Sequence, residues 1–197
     1  MEIRSASADD RDRVVATLTR AFTHDAIVRF LFPDDETWPQ RAALFFGHYF
    51  DVRLAGGEVF VCGDDVAGVA LWNPPGGNRL GNEFVEGHWL RTVVANVAAE
   101  EVARYEAFTK VLDAMTPSEP HWYLGLLGTD PDRQRTGVAR SLMEPMLARA
   151  DRDALPVFLE TGMPRNVAVY TRFGFFEIAE ATAPGGPRVW GMLRKPR

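Results

Sequence analysis

The stretch LGTDPDRQRTGVARSLMEPM, from Leu127 to Met146, holds an Asp-Pro turn, three arginines (Arg133, Arg135 and Arg140) and a lone Gly137, then passes into a helical pattern. Over Thr136–Arg149 the inner stripe is Val138, Leu142, Met146 and Leu147, at helical spacing. Pro145 removes one backbone hydrogen bond and can bend that helix. The first N–H groups of a helix have no carbonyl partner within it, and the aligned peptide dipoles favour negative charge there. Such a mouth suits a phosphate if the backbone can be approached closely. Gly137 permits this, Ala139 is nearly as small, and Gln134 and Arg135 can add donors. A strand at His121–Leu127 feeds the turn, where open α/β sheets bind ligands. The spacing alone is equally compatible with a plain strand-to-helix turn carrying solvent-facing arginines. It is not a Walker A loop, because the Gly-Lys-Ser/Thr end is missing, and G-x-G-x-x-G is absent.

Working outward, the second half reads strand, helix, strand, helix, strand, strand. The elements after the opening helix are Val157–Glu160, Asn166–Phe173, Phe175–Ala179 and Val189–Leu193. In the first half, residues 1–5 form a short edge strand. Ser7 and Asp10 give a capping signal before a helix whose inner face is Val14, Val15, Leu18, Ala21 and Phe22. LFPDDETW, Leu31–Trp38, breaks it. A second helix over Gln40–Leu54 is stopped by Gly56-Gly57. The runs Glu58–Cys62 and Val66–Trp72 flank GDD as a hairpin. Pro74 to Gly77 forces a loop. Phe84–Met115 is helical, with a blurred middle that suggests two helices, and Thr116–Pro120 is a short linker.

The chain has 197 residues and reads as one domain, spanning residues 1–197. Its net charge is −5, from 22 basic and 27 acidic side chains, with no dense basic stripe, so no nucleic-acid partner is expected. A single cysteine, Cys62, rules out an internal disulfide and reads as a buried, inert thiol. No metal is expected, since His24, His48, His88 and His121 share no ligand spacing and read as surface or helix-face residues. No run of 18 apolar residues and no signal peptide is present, which points to a cytoplasmic protein with no membrane partner.

Gln134-Arg135-Thr136-Gly137-Val138-Ala139 resembles the Gln/Arg-x-x-Gly-x-Gly/Ala signature of the GCN5-related N-acetyltransferases. The flanking strand and helix, and the later LET, PRN, VY and FGF runs, follow that family's order. Within it, PVFLETGMPRNVAVYTRFGF, Pro156–Phe175, is similar to the matching stretch of the puromycin N-acetyltransferase-like branch. The resemblance covers Trp122–Ala179 firmly and is diffuse before Glu58. It implies an α/β fold: a twisted, mostly antiparallel mixed sheet, splayed at the cofactor and flanked by helices. It also implies acetyl-CoA as cofactor, its pyrophosphate held by the backbone N–H groups of Gln134, Arg135, Thr136, Gly137, Val138 and Ala139. Leu126, Leu127 and Gly128 would pair with the pantetheine arm, Asn166 would touch that arm, and Tyr170 would stand beside the thioester sulfur. Close relatives often have glycine where this chain has Arg135, which suggests a tighter or differently posed phosphate loop. Thr136 stands where they carry Arg or Lys, and its hydroxyl can still donate or cap.

Acetyl transfer from sulfur to nitrogen needs a neutral amine, a donor for the developing oxyanion and a proton for the leaving thiolate. The Leu127 N–H is the oxyanion candidate. Tyr170 is the acid candidate, the alternative being a core aromatic. Glu160 ends an apolar strand, where a carboxylate is costly unless paired or used. The related branch gives it the role of taking the amine proton; otherwise it partners Arg165 or caps the backbone. His121 is a second candidate base. An acceptor pocket is expected from Phe32, Trp38, Trp72, Phe84, Trp89 and Trp122, beside the acids Asp34, Asp35 and Glu36. Those aromatics would suit a flat or apolar amine, and otherwise fill the core. The favoured acceptor is the primary amine of a small molecule such as an antibiotic or other toxic amine. The alternatives are a protein N-terminus or lysine, and a coenzyme-binding sensor without turnover. A monomer or homodimer is expected, with Val189–Leu193 near any such interface.

Overall fold

A computed structural model describes residues 2–197, so Met1, at the start of the expected edge strand, lies outside it. The strands are β1 (Ile3–Ser5), β2 (Glu58–Cys62), β3 (Gly68–Asn73), β4 (Trp122–Thr129), β5 (Val157–Thr161), β6 (Phe176–Thr182) and β7 (Arg188–Arg194). The helices are α1 (Arg11–Ala21), α2 (Ala26–Leu31), α3 (Trp38–Gly56), α4 (Asn82–Thr92), α5 (Ala99–Met115), α6 (Val138–Arg152) and α7 (Pro164–Thr171). One sheet runs in the order β1-β2-β3-β4-β5-β7-β6, antiparallel throughout except for the parallel pair β4–β5. This is the expected mixed α/β fold.

The sheet has a buried core on each face. One holds Val14 and Leu18 of α1, Phe45, Phe46 and Phe50 of α3, and Val69 and Leu71 of β3. The other holds Val138, Leu142, Met143 and Met146 of α6 against Ala70, Trp72, Trp122 and Leu159. The alternation along β3 assigns its side chains to the two faces in turn, as pleating requires. Burial of these apolar groups is the main term favouring the fold. The capping signal is realised: the Ser7 N–H donates to Asp10 Oδ2 at 2.8 Å. Asp10 also takes a fork from Arg4, both contacts at 2.7 Å, and that guanidinium holds its carboxyl well below the usual carboxylate range.

The region expected to be helical over Phe84–Met115 is two helices, α4 and α5. Between them a short 3₁₀ turn, Val94–Asn96, follows the fully buried Val93. The Ala98 N–H donates to Glu101 Oε2 at 2.7 Å, which starts α5. β7 is paired on one edge with β5 and on the other with β6, so it offers no free edge to another copy. The outermost strand on that side is β6, where Phe176 and Ile178 are exposed. Among the described residues no helix is long and apolar enough to cross a membrane.

Candidate active site

Two features of β4 open the sheet. First, the register against β3 jumps from Leu71↔Leu126 to Trp72↔Leu124, so Gly125 has no opposite number and forms a bulge. A bulge reverses which face the following residues meet. Trp122 and Leu124 accordingly join the α6 core, whereas Leu126 joins the α1/α3 core. Second, β4 pairs with β5 only at Trp122↔Val157 and Tyr123↔Phe158. Beyond those two residues the strands part, leaving the later edge of β4, including Leu127 and Gly128, without a strand partner on that side. A cavity of about 700 Å³ occupies the gap.

At the far end of β4 the chain turns through Pro131–Arg133 and enters α6 with Gly137 in the left-handed region at φ 93°. Arg135 also has positive φ, 65°. This explains the missing first glycine: the loop keeps a glycine-like backbone at that position and carries an arginine through it. A non-glycine residue in that region costs on the order of 1–2 kcal/mol. The Thr136 hydroxyl donates to the Arg133 carbonyl at 2.7 Å and pins the turn. The Gln134 N–H turns back towards the Pro131 carbonyl at 3.4 Å, so it points into the turn. The backbone N–H groups from Arg135 to Arg140 find no acceptor among the described residues. The run of free donors is therefore shifted one residue on from the expected Gln134–Ala139. Val138 is buried, Ala139 partly so, and the residues from Gln134 to Gly137 are exposed.

Inside the cleft stand Glu160 of β5, Tyr170 and Asn166 of α7, and Leu126 and Leu127 of β4, all on the wall of one cavity. Glu160 is partly buried, and loss of solvation pushes its carboxyl up to about 7, against opposing pulls from the Tyr123 hydroxyl and Arg53. Arg165, its alternative partner, bears on Asp25 instead. Burial also pushes the Tyr170 phenol well above its ordinary value, so it holds its proton at neutral pH. Asn166 Nδ2 donates to Thr161 Oγ1 at 3.3 Å, tying the start of α7 to the end of β5. His121 lies at the rim, its Nδ1 2.7 Å from the Glu119 carbonyl and its ring edge-on to Phe158.

The expected aromatic acceptor wall lies elsewhere. Phe32, Trp38, Trp72, Phe84, Trp89 and Trp122 do not line the cavity; His121, also expected at the acceptor, does. Trp72 and Trp122 face the α6 core, each with its indole N–H buried and unpartnered. Phe32 packs edge-on to Phe45, and Trp38 lies under the Arg29 guanidinium. Phe84 is half-buried on α4, 6.2 Å from the His88 ring, and Trp89 stacks behind Tyr105 at 4.0 Å. Asp34, Asp35 and Glu36 are exposed.

The wall is built from Tyr49, Tyr105 and Tyr123, with Arg53 and His48 between them. The Tyr49 and Tyr105 hydroxyls are 3.1 Å apart. His48, expected to be a surface or helix-face residue, is 2% exposed, with Nδ1 2.9 Å from Nδ1 of His88. Burial, then the charges of His88 and Arg53, push it down to about 3, so it is neutral. A signal for these residues was present in the sequence. Tyr49 and Arg53 continue the apolar stripe of α3 from Phe45 and Phe46 at steps of three and four.

A strand bulged at its centre, splayed from its parallel neighbour and followed by a helix with free N–H groups defines an acyltransferase-like α/β architecture. The sequence profile of the acetyltransferase (GNAT) family matches residues 22–175, and the chain belongs to that family. An uncharacterized N-acetyltransferase of Schizosaccharomyces pombe is 27% identical over 184 residues, covering 89% of this chain and 74% of that protein. The crystal structure of histone acetyltransferase HPA2 and related acetyltransferase from Corynebacterium glutamicum superposes with a TM-score of 0.73 at 22% identity, covering 99% of this chain and 96% of that one. Arylalkylamine N-acetyltransferase 2 from Aedes aegypti superposes with a TM-score of 0.64 at 17% identity, covering 100% and 99%. These two likenesses concern the fold.

Proposed function

We infer that the protein transfers an acetyl group from acetyl-CoA to the primary amine of a small molecule. The observation that carries this reading is the cavity at the strand splay, whose lining includes both Glu160 and Tyr170. Its volume, about 700 Å³, lies within the range of small-molecule sites.

The donor end fits the coenzyme. Free N–H groups from Arg135 to Arg140, on a backbone opened by positive φ at Arg135 and Gly137, suit a diphosphate. The free edge of β4 at Leu126, Leu127 and Gly128 suits an amide-bearing arm, with Asn166 beside it. Bound there, acetyl-CoA would supply an acetyl group activated as a thioester.

The chain's own groups supply the proton handling. Glu160, with its carboxyl near neutrality, is matched to taking a proton from an ammonium at working pH. Tyr170 keeps its proton and makes no hydrogen bond through its hydroxyl among the described residues, so the hydroxyl is free to face a ligand and is our candidate donor to the leaving thiolate. Leu127, past the bulge, is the candidate to present its N–H to developing negative charge. Of the acceptor classes, a small amine is favoured over a protein tail because the wall is formed deep between α3, α5 and β4.

A thiol-release assay with acetyl-CoA against small amines, amino acids, polyamines, aminonucleosides and short peptides tests the reading. Turnover with one small-amine class supports it. Turnover confined to peptides redirects it to protein acetylation, and coenzyme binding without any turnover leaves a sensor.

A further inference from the structure

Among the described residues Arg53 is the one buried cation on the cavity wall, and the proton handling above makes no use of it. It is 3% exposed. Its guanidinium lies over the Tyr49 ring, 4.8 Å from the centroid. It also fills the space beside Gly125, where a Cβ would come within 2.3 Å of Nη2. The bulge glycine thus makes room for the planar fork. Among the described residues its side chain makes no hydrogen bond and no ion pair, and Nε is buried without a partner.

An unpaired buried charge is destabilising, and a guanidinium cannot escape by releasing its proton at neutral pH. Burial opposes its charge here, and the groups facing it give little in return. Tyr49 and Tyr123 are neutral phenols and His48 is a neutral imidazole. Of the acids on the cavity wall, Asp25, Asp113, Glu119 and Glu160, the one that bears on the guanidinium is Glu160, which the reaction needs at the amine. A counter-charge therefore has to enter with the ligand.

We propose that Arg53 receives a carboxylate of the acceptor, so that the acceptor is an amino carboxylate, its amine towards Glu160 and its acid group in the guanidinium fork. This rests on the reading that the cavity is the acceptor site. Arginine suits the role because its fork matches both oxygens of a carboxylate. The tyrosine hydroxyls on the same wall can donate to what remains of the anion.

Matched acceptors provide the test: α- and ω-amino acids, each compared with its amide and its decarboxylated amine. For the wild-type protein kcat/KM should favour the acid over its amide by about 100-fold or more, because losing the partner of a buried charge is heavily penalised. Arg53→Met should collapse that ratio towards one, mainly by raising KM for the acid, while Arg53→Lys keeps part of it. Melting separates this from a structural role: removing an unpaired charge should leave the Tm of Arg53→Met equal to or above wild type.

Calorimetry supplies a readout independent of turnover. The amino carboxylate should bind the coenzyme-loaded wild-type protein and not Arg53→Met. If Arg53-dependent binding is present but nothing is acetylated, the transferase reading fails and the anion site stands. If amines and amides are acetylated as well as acids, or Arg53-dependent binding is absent, the anion site is overturned and the transferase reading is untouched. A marked fall in Tm for Arg53→Met also overturns it.

Discussion

Arg194 and Arg53 are buried to nearly the same degree, 4% and 3% exposed, yet the fold treats them oppositely. Arg194, at the end of β7, grips both oxygens of Asp151 at 2.7 and 2.8 Å and gives Nε to the Phe173 carbonyl at 3.1 Å. Arg53, beside the splay, has none of this. The same contrast runs through the backbone. On the β5-β7-β6 flank, β7 is laddered along both edges. At the cleft one edge of β4 stops pairing after Tyr123, and the mouth of α6 keeps its N–H groups free. Buried polar groups are nearly always satisfied within a folded chain. Arg53 departs from that rule on the cavity wall, as do the indole N–H groups of Trp72 and Trp122 in the α6 core, but Arg53 alone of the three is charged and faces the cavity. The flank closes its own polar groups, and the cleft leaves several of them open.

That division can be broken by variants whose effects should fall on opposite readouts. Tyr170→Phe should have the largest effect, lowering kcat by about 10³-fold while leaving coenzyme binding and Tm nearly unchanged. An unaltered kcat would make Tyr170 a core aromatic. Arg194→Met should do the reverse, costing about 3 kcal/mol in denaturant unfolding by stripping Asp151 of its partner. The surviving folded fraction should keep its turnover.

Glu160→Gln should lower kcat by about 10²-fold and flatten the pH profile. The wild-type rate should rise as pH passes through about 7, where the Glu160 carboxyl gives up its proton and becomes a base. Its stability should move the other way. The folded chain holds this proton more tightly than the unfolded one, whose ordinary value is 4.5. The associated stability is therefore full below that value and is lost as pH rises to about 7. Glu160→Gln removes this decline. An identical pH–stability curve for both proteins would contradict the assignment. The smallest effect is that of Arg135→Gly, which relieves the positive φ and should stabilise by about 1 kcal/mol, a rise of a few degrees in Tm.

How much of this was legible in the sequence differs between the same two regions. The strand-turn-helix around Gly137, the strand carrying Glu160 and the α7 helix bearing Asn166 and Tyr170 come from short local signals, while the splay and the roles of those residues come from the family resemblance. Glu160, Asn166 and Tyr170 line one cavity, and the Gly137 turn lies outside its lining. The cavity wall was not foreseen because it depends on register. The bulge at Gly125 decides that Trp122 and Leu124 face α6 while Leu126 faces α1 and α3, and no alternation in WYLGLLGT announces it. Trp72 and Trp122, expected in the pocket, are core residues, and its wall is formed by Tyr49 and Tyr105 of the helices α3 and α5 and Tyr123 of β4. Arg53 was the missed clue, a charged residue at an apolar-stripe position of α3.

The free amides at the mouth of α6 are what the whole reading of the cleft depends on. Backbone amide NMR on adding coenzyme A tests them directly. The largest shifts should fall on the N–H groups of Arg135 to Arg140, with smaller ones along Leu126–Gly128. Saturable binding whose shifts lie elsewhere, or no binding at millimolar coenzyme, would contradict a diphosphate site there.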